Sequence, residues 1–434
     1  MATNLLLSNV TAVLMDDAHT VMKSAYVQVR DGKIVSVSQT RPQGFDGSQI
    51  DGKGQVLLPG FVNAHTHVPM TAMRGYGGGH DLHSWLNDYI FPAEAKWDDR
   101  SIRCCTDLGL AEMIASGVTC ICDMYMNTHT VAQAVADAGI SANLGIGAVF
   151  FGEDFSPAAC DDCALQESVF QHWHGYDHGR ILVDSSLHAE YTSSEGLVRW
   201  IGDFAKANGT GVNVHVSETQ KEHKECQDRH GGLTPIQYLE KCGVLEARTT
   251  AAHCVWTTPE DWAIMARRGV TCAHNPVSNL KLGSGVAPIP AMKKAGVNIA
   301  LGTDGVSSHN ATDFFFDLKL AAILHNGVGC DPMAMTAWEA LEMATVHGGK
   351  ALGRKTGRIA PGYDADLILV DFDAPNLIPC HDVAESLVFS AHGANVVMNM
   401  CRGKVIYKDG QFLTIDLNKT KRELADYAMP KLFG

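Results

Sequence analysis

The sequence predicts an α/β protein, a (β/α)8 TIM-like barrel joined to a small β-sandwich made by its two ends. Eight short apolar runs alternate with stretches of helical periodicity between residues 59 and 358. Hairpin patterns flank that alternation, in residues 1–58 and again in residues 359–434. Metal-ligating residue types fall at the ends of several of the apolar runs, and the carboxyl ends of barrel strands are where such folds carry their sites.

Taken in order, residues 5–14 and 25–30 read as strands, and Asp31-Gly32 turns the second of them into 33–37. The far end answers with strands over 364–370, 396–400 and 403–407 and a second turn at Asp409-Gly410. Neither end has enough strands to close a core alone, so residues 1–58 and 359–434 are expected to pack together around a barrel spanning 59–358. The barrel strands are expected at 61–67, 118–123, 142–150, 181–188, 212–216, 249–254, 270–274 and 297–304. Between them, 101–116 has helical spacing. Thr258 supplies an N-cap, Pro259 the first helical position and Asp261 an acid at the third, and Gly269 stops that helix after Arg267 and Arg268.

Composition narrows the function. The chain has 434 residues, 46% hydrophobic and 19% charged, as an ordinary globular protein does. Its net charge of −14 argues against nucleic acid and anionic membrane surfaces as partners. The N-terminal stretch Met1-Ala2-Thr3-Asn4-Leu5-Leu6-Leu7 lacks the basic region and apolar core of a signal peptide, and no run reaches the length of a membrane span. Thirteen scattered cysteines suit reduced thiols in a cytoplasm. The single pair Cys160-Asp161-Asp162-Cys163 has no partner pair and is a weak redox or metal signal.

The chemistry begins at His65 and His67. Residues two apart in a strand point to one side, so both imidazoles can face one small ion. Further ligand types end the fifth, sixth and eighth runs: His215 and Glu218, then His253, then Asp304. Any one of these could be a satisfied buried polar group. Four such coincidences at strand ends point to a metal site.

These pieces resemble the amidohydrolase superfamily, and within it the S-adenosylhomocysteine/5′-methylthioadenosine deaminase branch. The resemblance covers nearly the whole chain. It is carried by Pro59-Gly60-Phe61-Val62-Asn63-Ala64-His65-Thr66-His67, Trp85-Leu86-Asn87-Asp88-Tyr89-Ile90-Phe91-Pro92-Ala93-Glu94 and His215-Val216-Ser217-Glu218-Thr219. Two later motifs, His274-Asn275-Pro276-Val277-Ser278-Asn279 and Gly302-Thr303-Asp304-Gly305, complete it. It implies one divalent ion per subunit, zinc or iron, held by His65, His67, His215 and Asp304. It also implies Glu218 as proton shuttle, His253 beside the attacking water, and Asp304 as the group that moves a proton to departing ammonia. Trp85, Glu94 and His188 would contact the substrate, Glu94 through the ribose hydroxyls. The expected protein is a cytoplasmic homo-oligomer that deaminates an adenine nucleoside, with a related heterocycle (guanine, a pterin, cytosine or a triazine) as the alternative and a non-catalytic scaffold as the outside one.

Residues 180–190 contain no lysine where two-metal cyclic-amide hydrolases of the superfamily place a carboxylated one, which favours one metal and deamination. Residues 142–152 contain no arginine to clamp a homocysteine carboxylate, and Glu190 stands where the branch often has proline. Methylthioadenosine, 5′-deoxyadenosine, adenosine and S-adenosylhomocysteine therefore stay open as substrates. His274 and Asn279, the trio Ser307, Ser308 and His309, and the loop histidines His80 and His83 are lesser candidates for the site. His172, His174 and His178 read as a solvated cluster.

Overall fold

The computed structural model describes residues 4–152 and 154–434. Every strand between residues 61 and 301 runs parallel to its neighbours. Four of them, Phe61–Thr66, Val118–Met124, Ser141–Gly145 and Ile181–Val183, form one sheet, and Ser185–Ala189, Gly211–Val216, Arg248–His253, Thr271–His274 and Asn298–Leu301 form a second. Most of these strands are wholly buried, which explains why they read as apolar runs without alternation.

The expected run 181–188 is split at Asp184. Its carboxylate is a buried acceptor for Asn143 Nδ2 at 2.7 Å, Arg248 Nη2 at 2.8 Å and the Gly211 N–H at 3.0 Å. The backbone changes partner there: the Asp184 N–H still donates to Leu144 O at 2.9 Å, whereas from Ser185 onward the chain pairs with Gly211–Val216. At the opposite seam the N–H groups of Thr303 and Asp304 donate to His65 O, at 3.2 and 3.0 Å. The regular ladders stop at both seams, so hydrogen bonding divides the parallel strands into two sheets and not one ring.

Two other runs end early. The third strand stops at Gly145, after which only isolated bridges, Ala148 to Leu187 and Phe150 to Ser193, follow the neighbouring chain. The last strand stops at Leu301, which places Asp304 in the connection beyond it.

The two ends of the chain meet, as expected. Val56–Pro59 pairs antiparallel with Leu367–Val370, Leu57 opposite Leu369, and this contact joins N-terminal and C-terminal strands in one nine-stranded sheet. Leu7, Val27, Leu57, Leu367 and Met398 form part of its separate apolar core. Both predicted turns have positive φ at their central residues, Asp31 and Gly32 in one and Asp409 and Gly410 in the other, the geometry that lets a two-residue turn follow strand twist.

Helices lie between the parallel strands. The one expected over 101–116 spans Asp99–Ala115, because Asp98 accepts from Ser101 N at 2.9 Å and caps it. The capping box from Thr258 to Asp261 forms, and Gly269 ends that helix at φ +69°. Among the described residues no helix is long and apolar enough to cross a membrane. The thirteen cysteines are free thiols, all but Cys330 and Cys380 buried.

Candidate active site

His65 lies in the first strand and His67 one residue past its end at Thr66, shorter than the expected run of 61–67, yet the two rings meet with centroids 4.9 Å apart, and neighbouring segments bring the rest of the site to them. Asp304 Oδ1 lies 3.2 Å from His67 Nε2 and 3.6 Å from His65 Nε2. His215 Nε2 lies 3.3 Å from His67 Nε2. These rings are oriented from behind. His67 Nδ1 donates to Met124 O at 2.6 Å and His215 Nδ1 to His188 O at 2.7 Å, so in the neutral rings the proton sits on Nδ1 and Nε2 presents a lone pair. Asp304 is oriented the same way: its Oδ2 accepts from Ser278 Oγ at 2.6 Å and Ser308 Oγ at 2.9 Å, which leaves Oδ1 for the histidines.

This donor set fits a divalent cation. Two imidazole lone pairs facing each other repel unless a positive centre lies between them. His65 is fully buried and neither of its ring nitrogens has a hydrogen-bond partner, a cost that native structures rarely carry without a reason. Three imidazole nitrogens and one carboxylate oxygen match the ligand types that zinc takes. The electrostatics agree. Burial pushes His65 down to about 4, whereas the Asp304 carboxylate overcomes burial at His67 and raises it to about 9, so that without an ion Asp304 favours a second proton on His67 Nε2, the positive charge that a bound cation would replace. Burial alone would raise Asp304, but its two histidine neighbours hold it well below the carboxylate range.

The backbone around these groups is strained. Ser217, His253, Cys254 and Asp304 all have φ between +48° and +73° without being glycine. Such residues cost on the order of 1–3 kcal/mol each and cluster at functional sites. At Gly302 the constraint is space, since a Cβ there would lie 2.3 Å from Asn275 Oδ1 and 3.1 Å from the His65 nitrogen.

Glu218 and His253 stand beside the ligand cluster. Glu218 Oε2 is 3.7 Å from His253 Nε2, and its Oε1 accepts from Ser284 Oγ at 3.4 Å. Burial raises the Glu218 carboxyl above its ordinary range. His253 Nδ1 is engaged by Asn279 Oδ1 at 2.8 Å, so Nε2 faces the cavity.

A cavity of about 560 Å³ opens over this group, lined in part by Trp85, Glu94 and His188 as well as by Glu218, His253 and Asp304. Trp85 sits in a short helix after the first strand and donates from Nε1 to Tyr76 O at 3.4 Å. Glu94 Oε1 accepts from the Tyr125 hydroxyl at 2.6 Å, and that hydroxyl accepts from Trp97 Nε1 at 3.1 Å. His188 Nδ1 is bound to Thr192 Oγ1 at 3.0 Å. Sequence reasoning missed Tyr125. It lies one residue past the second strand's end, the one signal that could have found it.

Of the lesser candidates, Ser308 binds Asp304, Asn279 binds His253, and Ser307 packs on Met70. His274 is turned away, its Nε2 3.2 Å from His325 Nε2, and His309 pairs with Asp317 at 2.7 Å. His80 and His83 do not line the cavity. His172 belongs to the helix Asp161–Trp173. Glu190 points away from the cavity, to Arg229 at 2.6 Å and His230 at 2.7 Å. Among the described residues no arginine or lysine lines the cavity, whose outer wall includes Phe91, Val149 and Phe151 with the carboxylate of Asp162.

Residues 56–406 match the family described as Amidohydrolase family. The chain belongs to it. A 5′-deoxyadenosine deaminase of Methanothermobacter thermautotrophicus is 40% identical over 412 residues, covering 94% of this chain and 95% of that one. A 5-methylthioadenosine/S-adenosylhomocysteine deaminase of Acetivibrio thermocellus is 37% identical and covers 98% of this chain and 99% of its own. Among solved structures, an adenosine deaminase from Xanthomonas campestris with bound zinc superposes with a TM-score of 0.92 at 29% identity, covering 99% of this amidohydrolase and 98% of its own chain.

Proposed function

We propose that this amidohydrolase is a metal-dependent deaminase of adenine nucleosides, with a preference for a 5′ end that is small or apolar. One observation carries the reading. A buried carboxylate, Glu218, and an imidazole, His253, stand beside His65, His67, His215 and Asp304, whose ligand atoms converge at the floor of a nucleoside-sized cavity. The relatives named as deaminases of 5′-deoxyadenosine and methylthioadenosine support the substrate class.

In this reading His65, His67, His215 and Asp304 hold one divalent ion, zinc, which when bound lowers the pKa of water from 15.7 toward about 7. The protein's own groups do the rest. Trp85 and Glu94 seat the nucleoside, the carboxylate accepting from the ribose hydroxyls. Glu218 Oε2 accepts a proton from the attacking water and delivers it to a ring nitrogen, so that the ring can take up the incoming electron pair. His253 Nε2 orients that water, and Asp304 takes the water's second proton, from the hydroxyl then on the ring carbon, and passes it to the amine as the C–N bond breaks and ammonia leaves. Water enters, ammonia and the inosine-type product depart, and no other reactant is consumed.

The outer wall supports the 5′ preference. With the amino-bearing ring at the floor, the 5′ end is the part that reaches the wall of Phe91, Val149 and Phe151. A carboxylate carried there finds no cation and meets Asp162.

The same reading takes the two parallel sheets, linked at Asp184 and at His65, as one (β/α)8 barrel over residues 59–358. The nine-stranded sheet of 1–58 and 359–434 is then folded over as the β-sandwich. It also takes the protein as a cytoplasmic homo-oligomer. The free thiols support the compartment, and sedimentation tests the assembly.

The test is ammonia release by zinc-loaded protein from methylthioadenosine, 5′-deoxyadenosine, adenosine, S-adenosylhomocysteine, guanine and cytosine. The expected result is turnover of the first three, with kcat/KM for S-adenosylhomocysteine at least about tenfold lower, a difference of about 1.4 kcal/mol. Turnover of guanine or cytosine alone would overturn the nucleoside reading.

A further inference from the structure

Glu222 has no role in the chemistry above, yet it is among the most constrained carboxylates in the protein. It lies in the first turn of the helix Gln220–Arg229 and is 1% exposed. Its Oε1 accepts from the Ser217 N–H at 2.8 Å, and its Oε2 accepts from Glu218 N–H at 2.7 Å and Thr219 N–H at 3.4 Å. Among the described residues no lysine, arginine or histidine forms an ion pair with it. Three backbone N–H groups hold the side chain.

A helix cap does not require this much. Thr219 Oγ1 accepts from Glu222 N at 3.1 Å, and a capping box is completed by one return bond to the N-cap N–H, which glutamine supplies as well as glutamate. The two shorter bonds go instead to Ser217 and Glu218, upstream of the helix. Ser217 has φ +48°, a conformation that serine adopts only under constraint. The Glu222 carboxylate gathers the N–H groups on both sides of the Ser217–Glu218 peptide and so fixes the turn that follows the His215 strand.

We infer that Glu222 is a positioning residue for Glu218, holding the left-handed turn at Ser217 so that the Glu218 carboxylate faces the reacting ring. The inference rests on the reading of Glu218 as the proton carrier. With Glu222 reduced to a single acceptor, Ser217 relaxes toward negative φ, the next peptide rotates, and the Glu218 side chain leaves its place beside His253. The side chains of His65, His67, His215 and Asp304 take no hydrogen bond from residues 217–222, so metal binding and chemistry are expected to separate.

The experiment measures kcat, KM, zinc content and melting temperature for zinc-loaded wild type, Glu222→Gln, Glu218→Gln and the double variant Glu222→Gln with Ser217→Gly. Glu222→Gln is expected to lower kcat by about 10- to 100-fold, with KM and one bound zinc per chain retained. Glycine adopts φ +48° without strain, so the double variant is expected to recover most of that loss, which a purely structural defect would not do. If Glu222→Gln does not fold, the double variant carries the test: near-wild-type kcat supports the inference, and slow turnover with zinc retained overturns it. Glu222→Gln turnover within about twofold of wild type, with Glu218→Gln inactive, also overturns it. So does a loss of kcat in step with loss of zinc or of melting temperature. Wild-type turnover in Glu218→Gln is a different result and refutes the proton-carrier reading itself.

Discussion

His67 Nε2 and His215 Nε2 lie 3.3 Å apart, and in the neutral rings neither can donate to the other, because the single proton of each is committed to a backbone carbonyl on its far side. Two lone pairs so placed are a cation site made ready by folding. Metal-stripped protein is expected to take up one zinc per chain and to melt at a higher temperature when it does. Zinc at 100 times its dissociation constant stabilises the folded chain by about 2.7 kcal/mol. His67→Ala and Asp304→Asn are expected to abolish both effects, measured by metal analysis and calorimetry.

Glu218 divides metal binding from chemistry. It is not among the groups within ligand distance of His65 and Asp304, yet it reaches His253. Glu218→Gln is expected to keep its zinc and lose about 10²- to 10⁴-fold in kcat. Near-wild-type turnover in that variant would remove Glu218 from the mechanism.

Tyr125 and Glu94 form a bond in the wall of the cavity, at the end where the proposed reading seats the sugar. Burial raises the Glu94 carboxyl and the Tyr125 hydroxyl opposes that rise. Tyr125→Phe is therefore expected to raise KM for adenosine by about tenfold, from loss of a hydrogen bond to a charged group worth about 1.5–3 kcal/mol. The KM defect is expected to grow as pH falls, because Glu94 then protonates at a higher pH. A KM that does not change with either pH or the substitution would place the ribose elsewhere.

Asp98 ties the C-terminal helical segments of 417–433 to the helix Asp99–Ala115. It caps Asp99–Ala115, accepts from the Tyr427 hydroxyl at 2.5 Å and lies 3.2 Å from Lys431 Nζ. Desolvation would raise its carboxyl, but the bonds from Tyr427 and Ser101 hold it well below its ordinary 3.8. A depressed folded value means that this stability is fully present above about pH 4 and is lost as pH falls through the lower, folded value. Asp98→Ala is expected to cost about 1 kcal/mol for the cap and to free the C-terminal helices for proteolysis at neutral pH. An unchanged melting temperature and digestion pattern would show that the C-terminal helices are held by other contacts.

Much of this molecule was legible before folding because the controlling forces are local. The His65 and His67 spacing needs only the two-residue period of a strand, and the turns at Asp31-Gly32 and Asp409-Gly410 need only residues that tolerate positive φ. Thr258, Asp261 and Gly269 announce one helix by capping chemistry alone. The end of the third run was less legible, because Ile146, Ala148, Val149 and Phe150 continue its apolar pattern past Gly145, where pairing stops, and the last strand stops at Leu301, short of Gly302, Thr303 and Asp304.

The chain by itself determined which residue types stand at which strand ends, and through strand period, turn chemistry and apolar runs it determined the order of the elements. Only the tertiary structure decided which groups meet. Asn143, Gly211 and Arg248 converge on the Asp184 carboxylate, and Tyr125 reaches Glu94 across 31 positions of sequence. Glu222 is near Glu218 in sequence, but its hold on three N–H groups exists only with Ser217 at positive φ. The reason is physical. A buried polar group must be satisfied, and its partner is whatever the packed chain brings within about 3 Å, a distance that no periodicity in the sequence encodes.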